Sequence, residues 1–126
     1  MYQEFWHFLL YLQGTGIFNV VAVLAIAMIF DFFSGMVVAK IKGAISSRIG
    51  INGIIRKLAS MLLLLFFVPV AFILPAKTGV AMLWVFYLGY LCLEIESIFE
   101  NYRKLGFDMT IFTKFLAEIV ALWKRK

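Results

Sequence analysis

At 126 residues the chain has room for one compact unit, and 64% of it is hydrophobic, with a mean hydropathy of +0.99. Soluble domains are about 45–50% apolar, so this composition excludes an ordinary soluble globule and points to an integral membrane protein. Twelve Lys and Arg against seven Asp and Glu leave a net charge of +5, but the basic residues fall between and after the apolar runs, a loop pattern that argues against nucleic acid as a partner.

The chain opens on Phe5, Trp6, Phe8, Leu9 and Tyr11, followed by Gly14, Thr15 and Gly16. This reads as an aromatic interfacial anchor before a flexible joint. The same stretch carries Glu4 and no Lys or Arg, unlike the basic start of a cleaved signal, so the first apolar run is expected to stay as a membrane anchor. That run, residues 17–39, is the first candidate span, interrupted by Asn19, Asp31 and Ser34. Asp31, Gly35, Ala39 and Gly43 are spaced four apart and share one face of a helix. A carboxylate at membrane depth costs about 2.5–3.5 kcal/mol, so it faces a protein or aqueous interior. The small residues Gly35, Ala39 and Gly43 on the same face allow another helix to come close.

Residues 58–76 form the second span, with Pro69 in its middle removing a backbone donor, which predicts a kink or locally loosened helix. A very short turn at residues 75–79 makes spans two and three an antiparallel hairpin. The third span covers residues 80–99, with Glu94, Glu96 and Glu100 near its end; Glu100 precedes Lys104 by four residues, a favourable helical pair. From residue 108 to 126 the apolar residues Ile111, Phe112, Phe115, Leu116, Ile119, Val120 and Trp123 recur at helical spacing. Lys114, Glu118, Lys124 and Arg125 lie mostly opposite. This predicts an amphipathic tail helix with a basic end. It suits either an anionic inner membrane surface or packing on its own bundle or on a partner copy. The fold class expected is thus all-α: one membrane domain over residues 1–126, with three transmembrane helices, an interfacial N-terminal segment and a C-terminal amphipathic helix.

Charge sets the orientation. Lys40, Lys42, Arg48, Arg56 and Lys57 lie between spans one and two. Arg103, Lys104, Lys114, Lys124, Arg125 and Lys126 follow span three, and only Lys77 is left for the other side. The positive-inside rule places the N-terminus outside and the C-terminus in the cytoplasm. Asp31 and Glu94 then both lie near the cytoplasmic ends of their helices, where either can reach Arg56 or Lys57. A buried ion pair of that kind fixes helix register more than it adds stability.

Signals for an enzyme or a cofactor are lacking. His7 has no sequence-local Cys or Asp partner, and the lone Cys92 precludes both an intramolecular disulfide and a cysteine-based metal site, leaving apolar packing as its role. No phosphate-cradling glycine loop is present. Ser46, Ser47, Gly50 and Gly53 are explained by turn formation and helix capping. Three spans cannot enclose a wide aqueous path, so any pore needs several copies.

The stretch Asp31, Phe32, Phe33, Ser34, Gly35, with Ala39 and Lys40 behind it and then Ser46, Ser47, Gly50, Gly53 and Lys57, resembles the phage holins of the toxin-secretion/phage-lysis family. The run Glu94, Ile95, Glu96, Ser97, Ile98, Phe99, Glu100, Asn101, followed by Gly106, is similar to that family's second signature. Members often carry a proline a few residues after this glycine, whereas Phe107, Asp108, Met109 and Thr110 supply none. The resemblance implies a small multi-pass protein of the bacterial cytoplasmic membrane that associates with itself and opens lesions. These release an endolysin or a protein toxin with which it makes no stable contact. Matching positions carried over are Asp31, Gly35, Ala39, Gly53, Lys57, Glu94, Ser97, Glu100 and Asn101. Three other readings stay open from the residues themselves: a small proton-coupled dimeric transporter using Asp31 or Glu94, a non-conducting membrane scaffold or regulator, and a four-helix crossing with the N-terminal segment inserted. The tail residues expected at the membrane surface are Phe112, Phe115, Trp123, Lys124 and Arg125.

Overall fold

The computed structural model describes residues 1–44 and 46–125, Ala76 by its backbone. Lys126, counted above among the tail's basic residues, lies outside the described residues. Five helices follow one another: α1 (Tyr2–Thr15), α2 (Ile17–Ile41), α3 (Ser47–Ile73), α4 (Ala76–Lys104) and α5 (Thr110–Arg125). Three segments, Ile17–Ile41, Ser47–Ile73 and Lys77–Lys104, are long and apolar enough to cross a membrane. The chain is an all-α membrane protein.

Helix α2 is apolar on every side, with Ile26, Ile29 and Phe33 exposed on its outer wall. In water that would be untenable; in a bilayer it is the surface lipid covers. The joint before it is a single residue, Gly16, whose φ of +83° turns the chain directly from α1 into α2. Helix α1 folds back on the bundle, Phe5 and Phe8 packing on Phe72 near the end of α3. The residues past α2 include Gly43 with φ +70° and open space where a Cβ would sit. Gly43 thus belongs to a turn that only a left-handed residue makes easily, and the small-residue face of α2 ends at Ala39.

The largest departure from the sequence reading is the start of the second span, at Ser47 rather than residue 58. Arg48, Arg56 and Lys57 read as loop on hydropathy, but a helix can carry them on its wall beyond the most apolar depth. The Ser46 hydroxyl caps this helix, accepting from the Ile49 amide at 3.2 Å. Gly50 and Gly53 are therefore helical and face α2. A Cβ at Gly50 would lie 3.7 Å from the Met36 methyl, and one at Gly53 would lie 3.4 Å from the Phe32 ring. Close helix approach, not a turn, explains both.

Leu74 and Pro75 alone separate α3 from α4. The hairpin closes so tightly that a Cβ at Gly79 would overlap the backbone carbonyl of Ala71. Pro69 lies inside α3 and leaves the Leu65 carbonyl without its usual amide donor. One residue earlier, the Leu64 carbonyl accepts the buried Tyr87 hydroxyl of α4 at 2.7 Å. Helix α4 runs on to Lys104, past the expected end at 99, and packs along both α2 and α3, whereas α2 and α3 touch each other far less. The apolar core holds Leu12, Ile17, Leu24, Met28, Leu64, Val68, Ala71, Leu83 and Tyr87. It fills the half of the bundle nearest α1; the opposite half is built differently.

Candidate functional site

Three charged residues sit at one level because of chain topology. Asp31 is 10 residues before the end of α2 (41 − 31), Lys57 is 10 after the start of α3 (57 − 47), and Glu94 is 10 before the end of α4 (104 − 94). At 1.5 Å per residue each lies about 15 Å inside the same end of the bundle. Lys57 Nζ donates to Asp31 Oδ2 at 2.7 Å and to Glu94 Oε2 at 3.0 Å. Both carboxylates are buried, and the lysine is 23% exposed.

A second donor comes from the last turns of α4. Asn101 Nδ2 donates to Asp31 Oδ1 at 3.0 Å, to the Asp31 carbonyl at 3.2 Å and to Ser34 Oγ at 2.9 Å. Two hydrogens serve three acceptors, so one is shared. Ser34 in turn donates to the Asp31 carbonyl at 3.0 Å. Each oxygen of the Asp31 carboxylate thus has its own donor, one from α3 and one from α4. Among the described residues no buried side-chain nitrogen or oxygen lacks a partner. In a low-dielectric interior such bonds are strong and their loss is costly. The cluster thus links α2, α3 and α4 to one another at a single level.

This arrangement answers where the small-residue face packs. A Cβ at Gly35 would lie 3.6 Å from Asn101 Nδ2, so the glycine brings α4 close enough for Asn101 to reach Asp31 within one subunit. By formal count the cluster holds two acids and one base, a net charge of −1. Ser34 is the member that the sequence reading passed over as a mere interruption of the span. Its position three residues after Asp31, on the same helical face, was the available signal.

The bacteriophage holin family model matches residues 7–123. The chain belongs to the bacteriophage holin family. Comparison with curated proteins and with solved structures gives no match.

The holin family is not an enzyme family. Among the described residues no group of three or more His, Cys, Asp or Glu is placed to hold a metal ion. Of the two cations considered for Asp31 and Glu94, Lys57 takes the site; Arg56, one residue earlier on α3, points elsewhere and is exposed. Glu100 also stays outside the cluster, its Oε1 lying 3.6 Å from Lys104 Nζ on the exposed side of α4. Ser97 and Ala39 are half-buried and take no part in the hydrogen-bond network. The α2–α3 seam beside the cluster is an open apolar groove of about 360 Å³, with Ile29, Phe33, Leu58 and the Lys57 stem in its walls. In the tail, Phe112, Phe115, Trp123, Lys124 and Arg125 all lie on exposed positions of α5.

Proposed function

We propose that the chain oligomerises in the bacterial cytoplasmic membrane and permeabilises it, releasing an endolysin or a protein toxin. The observation that carries this reading is the buried polar cluster on the inner faces of three spans, in a protein of the holin family. A subunit of three spans can shelter those groups but cannot enclose a wide aqueous path. In this reading the compact subunit is the resting state, because Asp31, Lys57, Glu94 and Asn101 satisfy one another inside it. Assembly is then not driven by burying unpaired polar groups. It becomes possible when the spans part and the same groups turn to an aqueous lumen shared by several copies. Apart from the Lys57–Asp31 pair, the α2–α3 seam is weakly packed, so that pair is the main tie holding it closed.

The charge distribution supports an outside N-terminus and a cytoplasmic C-terminus, with α1 on the outer face and α5 on the inner one. Inducible expression in bacteria tests the proposal. Abrupt loss of membrane potential, and lysis when an endolysin is co-expressed, is the expected result. An intact potential would favour the scaffold, and a saturable, solute-selective flux would favour the transporter; either refutes the lesion.

A further inference from the structure

The sequence left open whether the apolar side of the tail helix packs on its own bundle, on another copy or on lipid. The structure gives the bundle only an edge of that side, where the Phe112 ring lies 5.9 Å from the Phe99 ring of α4, centre to centre. Helix α5 turns one flank toward α4, where Thr113, Leu116, Val120 and Lys124 face Glu96 and Glu100 across a cleft of about 570 Å³. The opposite, apolar side looks away from the bundle. Ile111 is 79% exposed and Phe115 62%, and Phe112, Ile119, Leu122 and Trp123 are exposed with them. At 100° per residue these six positions span roughly a third of the helix circumference. Arg125 and Lys114 border that arc on one side, with Glu118, the one acid on the helix, between them and Ile111. Lys124 lies nearly opposite the arc, on the flank that faces Glu96 and Glu100.

We infer that α5 docks flat on an anionic lipid surface, its apolar side among the acyl chains and Lys114 and Arg125 at lipid phosphates. Three observations select lipid over a second copy. The link between α4 and α5, residues 105–109, is five residues and reaches at most about 17 Å; α5 cannot leave the membrane edge at which α4 ends. The same end of the bundle also carries Lys40, Lys42 and Arg48 beside Arg103 and Lys104, so pairing two tails would bring like charges together, whereas anionic lipid neutralises them. Neither Lys114 nor Arg125 forms an ion pair among the described residues. This inference does not depend on lesion formation.

The test uses the full chain reconstituted in vesicles of phosphatidylcholine alone or with phosphatidylglycerol. In a variant carrying Trp6→Phe and Trp84→Phe, emission from Trp123 should be quenched by lipid brominated near the headgroup and shielded from aqueous acrylamide. Quenching should be stronger with phosphatidylglycerol present and unchanged as protein is diluted into more lipid. Replacing Lys114 and Arg125 together by Gln should lower the docked-to-undocked ratio about twenty-fivefold on phosphatidylglycerol vesicles, roughly fivefold per basic residue. A second readout keeps all three tryptophans: a nitroxide on Ile119→Cys in a Cys92→Ala background should be accessible to oxygen and shielded from a water-soluble nickel chelate. Full acrylamide access to Trp123, or nickel access to the nitroxide, overturns the inference. Lipid protection that vanishes on dilution of the protein also overturns it and assigns the face to a second copy.

Discussion

Removing Lys57 should be far more damaging than removing either of its acidic partners, and the charge count says why. With Lys57 present the cluster sums to −1; Lys57→Met makes it −2, with two buried carboxylates facing each other and no cation between them. Glu94→Gln instead leaves the Lys57–Asp31 pair at 2.7 Å neutral and keeps an amide oxygen where the carboxylate accepted. Breaking a buried pair by deleting one partner costs about 3–5 kcal/mol, and the side chains involved are 23%, 10% and 8% exposed, too shielded for solvent to absorb much of it. Losing one charge-assisted bond while its partner stays paired costs about 1.5–3 kcal/mol. The expected order of destabilisation is therefore Lys57→Met, then Asp31→Asn, which also loosens Asn101, then Glu94→Gln. The triple variant Asp31→Asn, Lys57→Met, Glu94→Gln should recover most of the loss, because no charge is then left uncompensated. Equilibrium unfolding by sodium dodecyl sulfate in mixed micelles measures all four proteins. If Lys57→Met and Glu94→Gln are equally stable, or the triple variant is no better than Lys57→Met, the three groups are not an energetic unit. The same series tested in cells should show Lys57→Met permeabilising the membrane earlier than the parent protein.

Gly79→Ala places a methyl group against the Ala71 carbonyl and should destabilise the α3–α4 hairpin by about 1–3 kcal/mol, measured by the same unfolding titration. Gly35→Ala should be tolerated, since its Cβ meets Asn101 at ordinary contact distance; Gly35→Leu should displace Asn101 from Asp31, lower subunit stability by about 1–3 kcal/mol, and disengage a disulfide engineered between α2 and α4. Gly43→Leu meets open space but strains a turn at φ +70°, so it should lower stability by about 1–2 kcal/mol while leaving that disulfide and chemical crosslinks between copies in place. Asp108 Oδ1 accepts from the Thr110 amide at 3.0 Å and hydroxyl at 2.7 Å, and these donors hold its carboxyl below the ordinary value of 3.8. Its hold on the first turn of α5 is thus present above pH 3.8 and lost as pH falls through the lower folded value. Asp108→Ala should speed amide exchange at Thr110 at neutral pH and abolish that acid dependence.

Three membrane spans and the expectation of a tail helix could be read from composition and periodicity, because lipid imposes length and apolarity on a span whatever it packs against. The start of α3 could not. Arg48, Arg56 and Lys57 look like loop residues to any average of hydropathy, and only the packing of Gly50 and Gly53 against Met36 and Phe32 shows the helix passing through them. Gly43 failed in the opposite sense, since spacing by four is evidence of a shared face only while the helix lasts, and α2 stops at Ile41.

What the sequence determined by itself was that Asp31 and Glu94 are too costly to face lipid and that Arg56 or Lys57 was within reach, a matter of desolvation and of position along the chain. What the tertiary structure decided was which cation is used and whose surface receives it. Neighbouring residues on a helix point about 100° apart, so the pairing of α3 with α4 selects Lys57 and turns Arg56 outward. The parallel alignment of α2 with α4 then carries Asn101 across 70 residues of sequence to complete the Asp31 site within a single subunit.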